Sequence, residues 1–199
     1  MLLFYKVVKK VLQIGDALLR APNQPVTNFA DNKIQQVLLD LVETMRANDL
    51  IGLAAPQIGV NYDIFITEPR PTKARIADQA DDLRYFFNSK LVQLSLEQTV
   101  IFEGCGCVIN GQLLAPVLRR KEITVESFNK EGRKFQLRCD GLLARVIQHE
   151  LDHISGKEFT ERVTDYNRMM SFEHYVMEAK GSREQVSASI ITVKEYKEI

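Results

Sequence analysis

The run His149-Glu150-Leu151-Asp152-His153 is the part of this sequence best suited to chemistry. On a helix, positions i and i+4 share a face, so both imidazoles can reach one metal ion. Glu150, next to His149, can then reach a water on that ion. The chain holds only three histidines in 199 residues, which makes the pairing informative. A catalytic ion of this type needs a third protein ligand and an open position. A downstream histidine in H-E-x-x-H-x-x-G-x-x-H is excluded: Gly156 fits that pattern, but its last place is Phe159. Two routes stay open. One is a glutamate from a following helix, Glu173 or Glu178. The other is the thiolate of Cys105 in Glu103-Gly104-Cys105, although a free cysteine is more often a small buried apolar residue.

Several elements must position these groups. Asp140 can cap a helix running through Leu142, Leu143, Val146, Ile147, Leu151 and Ile154, with Gly156 where a terminating glycine belongs. An amphipathic helix is expected over 28–48, with Asn28 or Asp31 as its cap. Tyr62 to Thr67 and Thr99 to Glu103 read as strands. Glu122 to Phe128 and Arg133 to Cys139 flank turn residues and read as a hairpin. Glu68 to Asp82 is polar, holds two prolines and has no apolar period, so it reads as a long surface loop or insertion. A further helical pattern covers about 165–180, and the tail from Ser187 has no assignment. The expected fold class is α+β, with antiparallel sheets packed around a central helix that carries the H-E-x-x-H motif. Residues 1–165 form the expected catalytic domain, and 166–199 a C-terminal helix and tail of the same domain.

Composition narrows the function classes. Apolar residues make up 45% of the chain, enough for a sizeable core. Basic and acidic residues balance at 26 each, so no charge excess points to nucleic acid or to an anionic membrane. The N-terminal MLLFYKVVKK has lysines where a secretory signal needs an apolar run. No stretch approaches the roughly 18 apolar residues of a membrane span. Three cysteines, Cys105, Cys107 and Cys139, do not make a disulfide framework and suit a reducing compartment. The expected location is cytoplasmic.

Three segments together resemble peptide deformylases. Gly52-Leu53-Ala54-Ala55-Pro56-Gln57 resembles that family's GxGLAAPQ motif, Glu103-Gly104-Cys105 its EGCLS motif, and Gln148 to Gly156 its QHExDHLxG motif. They occur in the family's order, and weaker similarity runs from Val11 to Arg162. The resemblance implies that Cys105, His149 and His153 bind one divalent transition metal. Glu150 is then the general base and later the general acid. Gln57 and the backbone N–H of Gly106 would donate to the developing oxyanion. The Gly52 backbone would pair with the substrate chain, and Ile51, Leu142 and Val146 would line a pocket for a methionine side chain. Arg119 would pair with Glu103 to hold the cysteine strand. The implied activity is removal of the formyl group from nascent N-formylmethionyl polypeptides, with the ribosome as the implied place of action. A thiolate with two imidazoles suits Fe(II), the first choice, or Zn(II), Ni(II) or Co(II), rather than Mg or Ca.

The chain departs from the family pattern at four places. Leu50 stands for the first glycine of GxGLAAPQ, Gly106 for the leucine after the metal cysteine, Cys107 for serine, and Val108-Ile109 for the stretch where a proline commonly follows. Gly106 removes a side chain beside the ion while Leu50 adds one on the facing segment, so the shape of the formyl pocket is open. A related metal amidase with an altered substrate, a zinc peptidase using Glu173, and a metal-stabilised binding protein are the competing readings. The intact Glu150 argues against the last, because a purely structural site does not need it.

Overall fold

The computed structural model describes residues 5–76 and 80–199. Helix α1 (Asn32–Ala47) starts at Asp31, whose carboxylate accepts from the Lys33 N–H at 2.7 Å. That satisfies one of the N–H groups a helix start leaves without a partner. Of the two candidate caps, Asp31 holds the position, and the helix begins four residues later than the apolar period alone suggests. Strand β1 (Gly52–Ala54) is followed by a 3-10 turn over Ala55–Ile58, and then by β2 (Ile64–Thr67). The polar segment after β2 carries no helix or strand in its described residues, and 77–79 lie outside them.

Strands β3 (Arg84–Leu94), β4 (Gln98–Gly104), β5 (Leu113–Arg120), β6 (Glu122–Phe128) and β7 (Lys134–Asp140) follow. β6 and β7 form the expected hairpin, in register from Glu122↔Asp140 to Phe128↔Lys134. Helix α2 (Gly141–Ile154) carries the histidine motif. Asp140 sits at its N-cap position, but its side chain does not cap; it pairs with Lys194 at 3.2 Å instead. Gly156, at φ +69°, takes the left-handed conformation that ends the helix, as expected. The helix expected over 165–180 is shorter: the strand β8 (Met170–Ser171) precedes helix α3 (Phe172–Glu178). Helix α4 (Arg183–Ser187) and strand β9 (Thr192–Glu198) complete the chain, and β9 pairs with β7.

The sheets are antiparallel. One has the order β1-β2-β3-β6-β7-β9 and the other β4-β5-β8. β2 is buried on both faces, and alternation along it divides the core. Phe65, with Phe86 of β3, packs against Leu143 and Ile147 of α2. Ile64 and Ile66, with Phe87, pack against Leu41 and Met45 of α1. α2 is therefore enclosed, with the large sheet on one side and contacts to β5 on another. β1 is an edge strand of the large sheet, which leaves one side of its backbone without a strand partner among the described residues. No helix of the described residues is long and apolar enough to cross a membrane.

Candidate active site

Three elements converge on one cleft. α2 supplies His149 and Glu150, the turn after β4 supplies Cys105, and β1 with its 3-10 turn supplies Gly52 and Gln57. Cys105 Sγ lies 3.2 Å from His153 Nε2. The Gln57 amide Nε2 donates toward Cys107 Sγ at 3.4 Å and Cys105 Sγ at 3.7 Å, while its Oε1 accepts from the Ala54 N–H at 2.6 Å. That last bond fixes which end of the amide faces the cleft. The Cys107 N–H donates to Cys105 Sγ at 3.4 Å.

The cluster differs from the sequence-derived set in one respect. The donor atoms of Cys105, Cys107 and His153 lie within 4.8 Å of one another. His149 is outside that tightest trio. Its ring stands edge-on to His153 with centroids 5.0 Å apart, and its Nδ1 contacts Glu103 Oε2 at 3.0 Å. Nε2 is thus left as the nitrogen available for a ligand. Glu173 and Glu178 are exposed on α3 and do not line the cleft, and the remaining histidine, His174, is exposed as well.

The side chains suit a divalent transition ion. Thiol and imidazole donors are of the right softness. His153 Nδ1 and Glu158 Oε2 are both buried without hydrogen-bond partners, 3.8 Å apart. Glu103 is within hydrogen-bond reach of His149 Nδ1, the arrangement that orients metal-binding histidines, while Glu158 faces His153 Nδ1 without a hydrogen bond. Burial pushes His153 well below the ordinary histidine range, which keeps it neutral and ready to ligate. The contact with the Cys107 thiol, followed by burial, raises the Cys105 thiol well above its usual value. Burial lifts Glu158 to about 7 and Glu150 well above the carboxylate range.

Glu103 behaves oppositely. Burial alone would raise it, but Arg119, His149 and Arg145 together hold it well below the usual carboxylate range. Arg119 donates to both Glu103 oxygens at 2.9 Å and to Asp152 at 2.6 Å, so the expected Glu103–Arg119 pair is present. Arg145 was not singled out from the sequence, yet it donates to Glu103 at 2.6 Å and to the Thr99 carbonyl at 2.8 Å. Its position four residues before His149, on the same face of α2, was the available signal. Glu158 lies past the helix end and left no such signal. Arg145→Ala should destabilise the protein by about 3 kcal/mol, since removing one partner of a buried ion cluster typically costs about 3–5 kcal/mol. The melting temperature should drop by roughly 6–12 °C. A calorimetric shift under a degree would show that Arg119 and His149 suffice for Glu103.

The backbone approaches closely at Gly52, where a Cβ would come within 2.5 Å of Glu150 Oε1 and 2.6 Å of Val146 Cγ1. Leu50, Ile51, Leu142 and Val146 supply apolar walls to the same cleft. Leu50 also explains Gly106. A Cβ at position 106 would meet Leu50 Cδ1 at 3.3 Å and Val11 Cγ1 at 3.5 Å. Two of the departures from the family motifs are thus neighbours, and Leu50 lies where a side chain at position 106 would need room. Gly106→Leu alone should cost about 1–3 kcal/mol through overpacking, and Leu50→Gly in the same chain should recover much of it. The coupling expected from a denaturant double-mutant cycle is about 0.5–3 kcal/mol; additive effects would refute the exchange.

A family model described as polypeptide deformylase matches residues 8–169. The chain belongs to the peptide deformylase family. It is 38% identical over 159 residues to peptide deformylase 1 of Bacillus subtilis, covering 80% of this chain and 92% of that one. It is 35% identical over 161 residues to the peptide deformylase of Carboxydothermus hydrogenoformans, covering 81% and 97%. Among solved structures, a class I type b peptide deformylase from Acinetobacter baumannii, with Met-Ala-Ser bound, superposes with a TM-score of 0.73 at 25% identity, covering 80% of this chain and 100% of that one. A probable peptide deformylase from Synechococcus phage S-SSM7 does so at 0.66 and 35% identity, covering 77% and 99%. The family match ends at residue 169, so β8, α3, α4 and β9 lie beyond it.

Proposed function

We propose that this chain is a metal-dependent amide hydrolase that removes the formyl group from N-formylmethionyl polypeptides and releases formate. The observation that carries the reading is the convergence of Cys105, His149, Glu150 and Gln57 on a cleft bordered by the edge strand β1, with His153 against Cys105 behind it. Cys105, His149 and His153 would hold the metal, which when bound supplies Lewis-acid activation of water and of the carbonyl.

The protein's own groups do the rest. An extended substrate adds to the edge of β1 through the Gly52 backbone. The closeness of Gly52 to Glu150 brings the substrate's first residue near that carboxylate. The apolar walls from Ile51, Leu142 and Val146 take the methionine side chain. Gln57 Nε2 and the Gly106 N–H would donate to the carbonyl oxygen and stabilise charge developing there. Gln13 holds the Gly106 turn by donating to its carbonyl at 2.8 Å. Glu150 accepts a proton from the attacking water and passes it to the leaving amine.

The Met-Ala-Ser bound to the Acinetobacter relative is the peptide such a reaction leaves behind. A zinc peptidase using Glu173 is disfavoured by that residue's exposure. We further propose Fe(II) as the native ion, a cytoplasmic location with nascent chains as substrates, and residues 166–199 as part of the same domain. Formate release from formyl-Met-Ala-Ser, set against acetyl-Met-Ala-Ser, tests the reaction. Metal analysis after anaerobic purification tests the ion. Turnover of the acetyl peptide alone would replace deformylation with a different amidase activity.

A further inference from the structure

The polar segment after β2 reaches the cleft. Thr72, Ala74 and Arg75 line it alongside Cys105 and Glu150. This stretch has no regular structure, yet it is tied at successive residues. Thr72 and Arg75 exchange backbone hydrogen bonds at 3.2 Å. The Lys73 N–H donates to Asp49 Oδ2 at 2.8 Å, and the Lys73 carbonyl accepts from Lys180 Nζ at 2.6 Å. The Tyr175 hydroxyl donates to the Ala74 carbonyl at 3.0 Å. Tyr175 is fully buried on α3, in the part of the chain beyond the family match. The C-terminal segment therefore clamps a wall of the cleft.

Arg75 is the charged group this clamp presents. Its Nη1 donates to the Phe102 carbonyl at 2.9 Å and to the Tyr175 hydroxyl at 3.4 Å. Among the described residues no carboxylate lies within ion-pair distance of it. The anions nearest the cleft are already engaged: Asp49 by Arg70, and Glu103 by Arg119, Arg145 and His149. Glu150 is enclosed against Gly52. A half-buried guanidinium whose Nη1 is fixed and whose other nitrogens have no hydrogen-bond partner among the described residues can bind a carboxylate. Phe102 stands three residues before Cys105, about 10 Å along an extended chain at ~3.3 Å per residue. A substrate that runs from the metal cluster toward Arg75 along the cleft would cover that distance by its second or third residue.

We propose that Arg75, held by Phe102 and Tyr175, is a carboxylate-recognising subsite that favours formyl peptides with an acidic residue at the second or third position. The proposal rests on the deformylase reading. Its test compares KM and kcat for C-terminally amidated formyl-Met-Glu-Ser and formyl-Met-Ala-Glu with their glutamine isosteres. Wild type, Arg75→Gln and Tyr175→Phe are measured on each, and the free-acid peptides distinguish a side-chain carboxylate from a terminal one. The wild type should show a KM about tenfold lower for at least one glutamate peptide, the scale of one charge-assisted hydrogen bond. Arg75→Gln should bring that ratio to about one, and Tyr175→Phe should reduce it with Arg75 still present. A merely structural Arg75 would change both peptides of a pair alike. Equal KM values in the wild type, or a glutamate preference that survives in Arg75→Gln, overturn the subsite while leaving deformylation intact. No turnover of any formyl peptide by metal-loaded enzyme overturns both.

Discussion

Glu150→Gln should fold, bind metal as the wild type does, and lose about 10²–10⁴-fold in kcat, the usual scale for removing a positioned proton-transfer group. Glu150 is 3% exposed, and its Oε2 has no hydrogen-bond partner. Burial raises its affinity for a proton above that of an ordinary carboxylate, the direction a group that takes a proton from water requires. Glutamine keeps the volume packed against Gly52, so a large structural change is not expected. The measurements are metal content, thermal stability and single-turnover formate release. A variant that turns over at the wild-type rate would remove Glu150 from the mechanism.

Cys105→Ala should lose the metal. Changing groups that merely orient a metal ligand typically costs 10–100-fold in affinity, so loss of a ligand should exceed about 100-fold, and activity should fall with it. Two companion variants decide between the possible ligand sets. His149→Ala should also lose the metal, and Cys107→Ser should retain it, if the imidazole rather than the second thiol completes the site. The opposite pattern would make the trio within 4.8 Å the ligand set. Glu173→Gln is the control and should keep its metal, because Glu173 is exposed away from the cleft. Equilibrium competition with a chelator reads all four without depending on activity.

Much of the fold was legible because its signals are local. The hairpin of β6 and β7 announced itself by alternation around Asn129-Lys130-Glu131-Gly132, and α2 by its apolar period and Gly156. β3 was missed because it is interrupted: Asn88 adopts φ 51° and the register with β6 shifts between Phe87 and Lys90, which breaks a period of two. β5 was missed because it contains Pro116, normally evidence against a strand. That proline is tolerated because β8 pairs only with Leu113 and Leu114 of β5. The helix expected over 165–180 is shortened to Phe172–Glu178 because the apolar residues before it serve the β8 pairing, and only Tyr175 and Ala179 make its buried face.

The sequence by itself determined the chemistry on offer: two imidazoles one helical turn apart, an adjacent carboxylate, a nearby thiol and a glycine-containing strand. Residue type and i,i+4 spacing are local properties, so no fold is needed to read them. Tertiary structure decided which distant groups meet that cluster. It brought Cys105 to His153 across 48 residues, set Glu158 behind that histidine, laid Leu50 over Gly106, and used Tyr175 to hold Arg75 in the cleft wall. Those contacts depend on how separate elements pack, and packing answers to volume and burial summed over the whole core, which no short pattern encodes.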